Sequence, residues 1–404
     1  MARLWRFRSA LPHGTDKLTL GIIIAAASLV AWVYLLAGRG AFWRAQVLED
    51  EGTPQPLRAW PRVAAVVPAR NEAALIGKSI GGLLDLDYPG SLAVILIDDH
   101  SADATAALAR TAAEQRGEDR LTVLSGQALA DGWTGKLWAM KQGIDRAEAL
   151  AEPPRYVLFT DADIGFAPDT LTRLVARAEA EGLVLTSVMA KLRCESLAEK
   201  ALIPAFVFFF QMLYPFGWVN RPDCKIAAAA GGCMLVRLDV LQRAGGLDQI
   251  RNRLIDDCAL ARLLKPAGPI WLGLTERVQS LRPYDTFNDV AAMVSRSAYE
   301  QLERSPLLLA GTATGMAVTY LAPPIFALAG SGLVQGVGAA AWLLMALAFQ
   351  PMLRLYRVNP GWGILLPAIA CAYMVFTLHS AYQHARGRGG RWKGRAQANV
   401  SEAE

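Results

Sequence analysis

The chain is expected to fold as an open α/β sheet with membrane segments at both ends. Three observations predict this. Between residues 62 and 300, apolar runs of strand length alternate with helical stretches, and polar residues gather where the runs stop. The run Tyr156-Val157-Leu158-Phe159 ends on Asp161 and Asp163, two acids one position apart. Long apolar segments lie near both ends, and the mean hydropathy of +0.25 fits an integral membrane protein.

A continuous apolar run that stops on polar groups reads as a buried strand delivering a site to its carboxyl end. Alternate residues of extended chain point the same way, so Asp161 and Asp163 can face one point. Two carboxylates facing one point repel unless a proton or a hard cation lies between them. Mg2+ or Mn2+ bridging a diphosphate would serve. The competing reading is a pair of turn aspartates ahead of a helix that begins near Asp169.

At 404 residues the chain can hold one domain of about 250 residues plus membrane segments. The formal charge of +5 is concentrated beside the terminal apolar runs, which points to anionic lipid heads. With no aromatic-basic stripe, nucleic-acid binding is not expected. The five cysteines, Cys194, Cys224, Cys233, Cys258 and Cys371, are odd in number and lack C-x-x-C spacing, which argues for reduced thiols. Of the four histidines, His13, His379 and His384 lie in terminal or membrane regions, so a histidine metal site or a Ser-His-Asp triad is short of residues.

In chain order, residues 1–17 are a basic segment with Arg3, Arg6, Arg8 and Lys17. Residues 18–37 carry no charge and suffice to span roughly 30 Å of hydrocarbon. An uncleaved anchor is favoured over a signal peptide, whose apolar core is usually shorter, and no convincing small-x-small cleavage site follows. Residues 38–61 form a linker with Pro54, Pro56 and Pro61. The domain of residues 62–300 then opens with a strand and turn, RVAAVVPARNEA. A helix over 73–85 follows, then a strand over 93–97 ending in Asp98-Asp99-His100-Ser101, a helix over 102–114 and a strand over 121–124. Neither G-x-G-x-x-G nor G-x-x-x-x-G-K-[ST] is present, so phosphate is expected to be held through metal. Residues 201–219 are apolar but broken by Pro204, Gln211 and Pro215, and read as a helix in the membrane interface with Tyr214 and Trp218 at headgroup level. Gly231 and Gly232 precede an apolar run, where glycine would let backbone approach a ligand. Asp256 and Asp257 head a helix, where capping is the alternative to chemistry. Three apolar segments fill residues 306–382, and a basic polar tail covers 383–404. If all four terminal segments span, both basic termini lie on the face opposite the middle domain, against the positive-inside tendency. The segment holding Pro323 and Pro324 is a candidate for re-entering instead.

These residues resemble the family 2 inverting glycosyltransferases of GT-A fold. VVPARNEA looks like the family's first nucleotide-binding strand and DDHSADAT like its DDxSxDxT. GWTGKLWAMKQG carries the GK-x-x-A-x-x-x-G element, DAD is the D-x-D, and IDDCAL takes the place of the base motif. With PAFVFFFQMLYPF and SRSAYEQL added, the chain looks most like the hopene-associated glycosyltransferases, membrane segments included. Where membrane relatives carry Q-x-x-R-W, only Arg296 survives, which speaks against processive polymer synthesis.

The resemblance implies a nucleotide-diphospho-sugar donor, a UDP-sugar, and a lipid acceptor such as a hopanoid. Polyprenyl phosphate, ceramide, polysaccharide or a non-catalytic scaffold remain open. It implies a Rossmann-like mixed sheet and a multi-pass protein of the inner membrane, with the domain on the cytoplasmic side where such donors are. Nucleotide-sugar contacts would come from Pro68, Ala69, Arg70, Glu72, Asp98, Asp99, Lys136, Asp161, Ala162 and Gly232. Asp163 with Asp161 would hold Mg2+ or Mn2+. Asp257 would be general base, with Asp256 beside it and Arg296 on the diphosphate. His100 stands where relatives often have glycine. A free aspartate, with pKa about 3.9, would be ionised and ready to accept a proton at neutral pH.

Overall fold

The run at residues 63–69 is a strand buried on both faces. Ala65 and Val67 enter one hydrophobic cluster while Val66, between them, enters the other. The computed structural model describes residues 14–47, 57–392 and 395–396. Arg3, Arg6, Arg8 and Lys393 of the basic ends, with Pro54 and Pro56 of the linker, lie outside them. Eight strands form the sheet: β1 (Val63–Ala69), β2 (Leu92–Asp98), β3 (Leu121–Ser125), β4 (Tyr156–Phe159), β5 (Ile164–Phe166), β6 (Leu185–Lys191), β7 (Met234–Arg237) and β8 (Ile270–Ser280). The helices are α1 (Gly14–Ala37), α2 (Ile76–Leu84), α3 (Thr105–Glu114), α4 (Gly135–Glu148), α5 (Thr170–Glu181), α6 (Leu197–Leu213), α7 (Phe216–Val219), α8 (Leu238–Arg243), α9 (Asp256–Leu264), α10 (Phe287–Ser295), α11 (Pro306–Met316), α12 (Ala322–Ala329), α13 (Gly332–Leu355) and α14 (Leu366–Ala385).

The strand order is β3-β2-β1-β4-β7-β6-β8-β5. The first four neighbours are parallel, so their carboxyl ends share one rim. β7 then pairs antiparallel with β4 and β6, and β5 antiparallel with β8, which makes the sheet mixed. This half is what carries later parts of the chain back to the rim. The pairing Phe159↔Met234 puts the 230–233 turn beside Asp161. The pairing Ile164↔Ser280 sends the chain after β8 past Asp163.

Among the described residues, five helical segments are long and apolar enough to cross a membrane: Thr19–Ala37, Leu197–Val219, Pro306–Ala329, Gly332–Leu355 and Pro360–Ala385. The second departs from the interfacial helix expected over 201–219. Most of it is buried within the protein. Phe208 packs on Phe42 and Phe349, with centroids 5.1 and 5.2 Å away, and Phe209 on Tyr373 at 4.9 Å. Tyr214 is buried rather than at an outer face, and its hydroxyl accepts from Gln301 and Arg262. Because β6 before it and β7 after it belong to one sheet, both flanks of α6 lie on the same side. Arg39, just past α1, caps α6 by donating to the Met212 and Leu213 carbonyls.

Pro323 and Pro324 do not break the Pro306–Ala329 helix. A π-helical turn at Ala317–Leu321 absorbs them. At π spacing, the carbonyls of Val318 and Thr319 would look to the missing N–H groups of those prolines. Ser28 Oγ and Trp32 Nε1 of α1 donate to these two carbonyls instead, each at 2.8 Å. The segment that turns back is the last one. Pro360 follows the end of α13, where Lys191 of β6 lies 5.9 Å from the Tyr356 ring. The chain then runs back along α13, with Trp342 donating to the Ile364 carbonyl at 3.1 Å. α14 returns to the domain, where Ser380 accepts from the Tyr299 N–H at 3.1 Å and a Cβ on Gly390 would lie 3.0 Å from Leu254. Both ends of Pro360–Ala385 therefore sit on the side of the sheet.

Candidate active site

The rim formed by the carboxyl ends of β2, β1 and β4 gathers acids from distant parts of the chain, and two cations hold them. Lys136 stands in the first turn of α4, whose N-cap Thr134 accepts from the Leu137 N–H. Its Nζ lies 2.8 Å from Asp161 and 3.0 Å from Asp256. It is thus no solvated surface lysine. Burial alone would lower its pKa, but the charges of Asp161, Asp256 and Asp257 outweigh this and raise it. Asp257 is fixed through both oxygens: the Gly231 N–H donates to Oδ2 at 3.0 Å and the Cys258 N–H to Oδ1 at 2.7 Å. Burial first, then Asp256, push Asp257 up to about 6, against the pull of Lys136 and the two N–H groups. This is well above the value of a free aspartate.

The second cation is Arg282, which the sequence reading missed. It follows β8, and its Nε donates to Asp163 Oδ2 at 2.6 Å while NH2 reaches both oxygens of Glu72 at 2.7 and 2.6 Å. Asp163 is held above the ordinary carboxylate range by burial, then by Asp161 and Glu72, with Arg282 opposing. No local pattern marks Arg282, which is 119 residues from Asp163 and 210 from Glu72.

Residues 64–245 match the family model described as glycosyl transferase family 2. This region is a glycosyl transferase family 2 domain. Over 195 residues the chain is 34% identical to a beta-monoglucosyldiacylglycerol synthase of Trichormus variabilis, covering 47% of this chain and 38% of that protein. Over 178 residues it is 29% identical to an N-acetylglucosaminyltransferase of Mesorhizobium japonicum, covering 43% and 40%. The chain thus spans about two-fifths of the length of these curated relatives. The fold is similar to that of the mannosyltransferase PcManGT from Pyrobaculum calidifontis, solved in complex with GDP-Man and Mn2+. The TM-score is 0.54 and the identity 21%, over 89% of this chain and 98% of that one. The fold is therefore GT-A-like.

Within this family 2 domain, the DDHSADAT stretch braces a loop as well as supplying acids. Ser101 Oγ accepts from the Asn71 N–H at 2.9 Å, Thr105 Oγ1 from Glu72 at 2.8 Å, and Asp103 from Ala73 at 3.2 Å. Asn71 Oδ1 accepts in return from the Ala102 N–H. Asn71 and His100 both adopt φ of 52°, the left-handed region, which explains why glycine suits the position of His100. Arg70 bonds to the Asp99 carbonyl and lies 3.5 Å from its carboxylate, while Asp98 accepts from Ser101.

Three of the expected contact residues have buried apolar side chains. Pro68 and Ala69 are buried in β1, and Ala162 packs in the core. A Cβ on Gly232 would meet Ile164 and Ala190 in the core, whereas one on Gly231 would lie 3.3 Å from Lys136 Nζ and 3.5 Å from Asp257. Gly231 is thus the glycine that lies beside the charged groups. Arg296 is the exposed C-cap residue of α10 and forms no ion pair among the described residues. Its charge is felt at Tyr284, two residues from Arg282.

Among the described residues, no group of three or more His, Cys, Asp and Glu side chains could hold a metal ion. The donor set left is the acid pair Asp161 and Asp163. It fits a hard divalent cation of the Mg2+ kind, which is typically bound by one or two carboxylates plus substrate phosphates.

Removing Arg282 would leave Glu72 and Asp163 adjacent and without their shared cation. We expect Arg282→Ala to destabilise the protein by on the order of 3 kcal/mol, with partial recovery in Arg282→Lys. Because the folded-state pKa of Asp163 is raised, protonation favours the folded form, so the deficit should shrink as pH falls from 8 to 5. Thermal unfolding midpoints in detergent at the two pH values check this; a deficit that grows toward acid would count against it.

Proposed function

We propose that this chain is a membrane-bound inverting glycosyltransferase. It moves a sugar from a nucleotide-diphospho-sugar to a hydroxyl of a lipid, and Asp257 is the general base. The observation that carries this reading is the meeting of Asp257, Asp256 and Lys136 with Asp161 at one rim of a family 2 domain. A fixed, half-buried carboxylate beside a lysine offers a proton acceptor next to a place for negative charge. Asp257 takes the proton of the acceptor hydroxyl as that oxygen bonds to the anomeric carbon and the bond to the diphosphate breaks on the opposite face. Lys136 and Arg282 offset the negative charge of the leaving diphosphate. Arg70, Glu72, Asp98 and Asp99 hold the nucleoside. Asp161 and Asp163 would bind Mg2+ or Mn2+, which supplies Lewis acidity toward the diphosphate oxygens.

A lipid acceptor is supported by the apolar helices and by the relatives named as monoglucosyldiacylglycerol synthases. A hopanoid is the acceptor that the closer sequence resemblance implies. Lipid extraction after incubation with labelled UDP-glucose, UDP-N-acetylglucosamine or GDP-mannose tests both partners; label only in water-soluble polymer would overturn the lipid reading. In the inner membrane, α1, Pro306–Ala329 and α13 cross, Pro360–Ala385 enters and returns, and the sheet domain is cytoplasmic. The C-terminal tail is then cytoplasmic too, with its arginines obeying the charge rule. A cysteine introduced at the tail should be protected from membrane-impermeant maleimide added outside intact cells, and labelling there would refute the arrangement.

Asp257→Asn should lower turnover by about 10²–10⁴-fold while nucleotide affinity stays within about two-fold. Equal losses of binding and turnover would remove the base assignment. Since the base must be ionised and its pKa is raised to about 6, turnover should be flat above that pH and fall about tenfold per unit below it. Asp163→Ala should abolish the enhancement of UDP binding by Mg2+ or Mn2+, read by calorimetry. An unchanged enhancement would exclude Asp163 as a ligand.

A further inference from the structure

A cavity of about 660 Å3 opens beside the first turns of α9, walled on the other side by residues 300–304. Arg253, Arg262 and Arg304 line it, with Asn252 and Gln301 among its other polar groups. Two glutamates, Glu300 and Glu303, share the lining, and Glu300 is engaged by Arg304 at 2.6 Å. Three arginines against two glutamates leave an excess of one positive charge, and Arg253 and Arg262 are the arginines not engaged by Glu300.

Its position is as informative as its charge. The hydroxyl of Tyr214, the residue that ends α6, accepts from Arg262 at 3.1 Å and from Gln301 at 2.6 Å. Pro306, two residues beyond Arg304, starts the apolar helix whose Leu307 is 84% exposed. The cavity thus lies where two apolar helices end, the level of lipid headgroups if these helices sit in a bilayer. Its volume suits a small polar ligand, and arginine forks suit phosphate oxygens. Asp257, the neighbour of the cavity-lining Cys258, is not itself in the lining, and its Oδ2 is engaged by the Gly231 N–H.

We propose that the cavity binds the phosphate of an anionic lipid headgroup, with Arg253 and Arg262 as its principal ligands. The proposal rests on the membrane reading above and not on the transfer reaction, so its test measures binding alone. Full-length protein in neutral detergent would be titrated with dioleoylphosphatidylglycerol or dioleoylphosphatidylcholine and the bound lipid counted by native mass spectrometry. The expected result is one phosphatidylglycerol retained at concentrations where phosphatidylcholine is not. Arg253→Gln should weaken retention about five-fold, and Arg253→Gln with Arg262→Gln about 25-fold. Arg354→Gln, which alters an exposed arginine at the end of α13, should leave it unchanged. Arg253 is exposed, so the single variant remains informative if the double variant unfolds. Equal retention of the two lipids, or equal loss in Arg354→Gln, would overturn the proposal. So would inorganic phosphate binding as tightly as the phospholipid, which would make this a site for a soluble anion.

Discussion

The site depends on neutralising carboxylates that the sheet forces together. Two like charges about 4 Å apart cost roughly 4 kcal/mol at an effective dielectric of 20, and burial adds to that. Glu72, Asp161, Asp163, Asp256 and Asp257 come to one rim because β1 and β4 end there and α9 begins there. Lys136 answers one group and Arg282 the other. Each cation touches acids from two separate chain segments, so each is both a charge partner and a clasp. Asp257 has no such direct clasp. Its backbone N–H partners hold it in place while burial keeps its proton affinity high, a combination suited to a base.

The same economy appears in the backbone around the rim. Ser101, Asp103 and Thr105 satisfy three successive N–H groups of the Asn71–Ala73 turn, which would otherwise be exposed donors beside a cluster of acids. A motif that reads as a list of ligands is therefore partly a brace. It fixes Glu72 so that Arg282 can reach both of its oxygens.

The apolar helices are tied to the catalytic sheet by polar contacts at their ends. Arg39 on α6, Tyr214 with Arg262 and Gln301, and Ser380 with Tyr299 all join helix ends to the domain. The π turn ahead of Pro323 shows the converse case within an apolar segment. Carbonyls left without N–H partners are supplied by α1, so the helix stays continuous and α1 gains a fixed register.

The sequence by itself determined the local features. Apolar runs ending in acids located β1, β2 and β4, and uncharged stretches located the long helices, because strand burial and helix length are written in neighbouring residues. The acids at Asp98, Asp99, Asp161, Asp163, Asp256 and Asp257 were legible for the same reason. Only the tertiary structure decided what neutralises them. Arg282 reaches Asp163 through the antiparallel β5–β8 pairing, a contact no local pattern encodes. Tertiary packing also set Gly231 beside Lys136 and Asp257, buried α6 inside the protein, and turned back Pro360–Ala385 rather than the helix with the proline pair. Each of these outcomes depends on which surfaces meet across long stretches of chain, and periodicity along the chain carries no record of that.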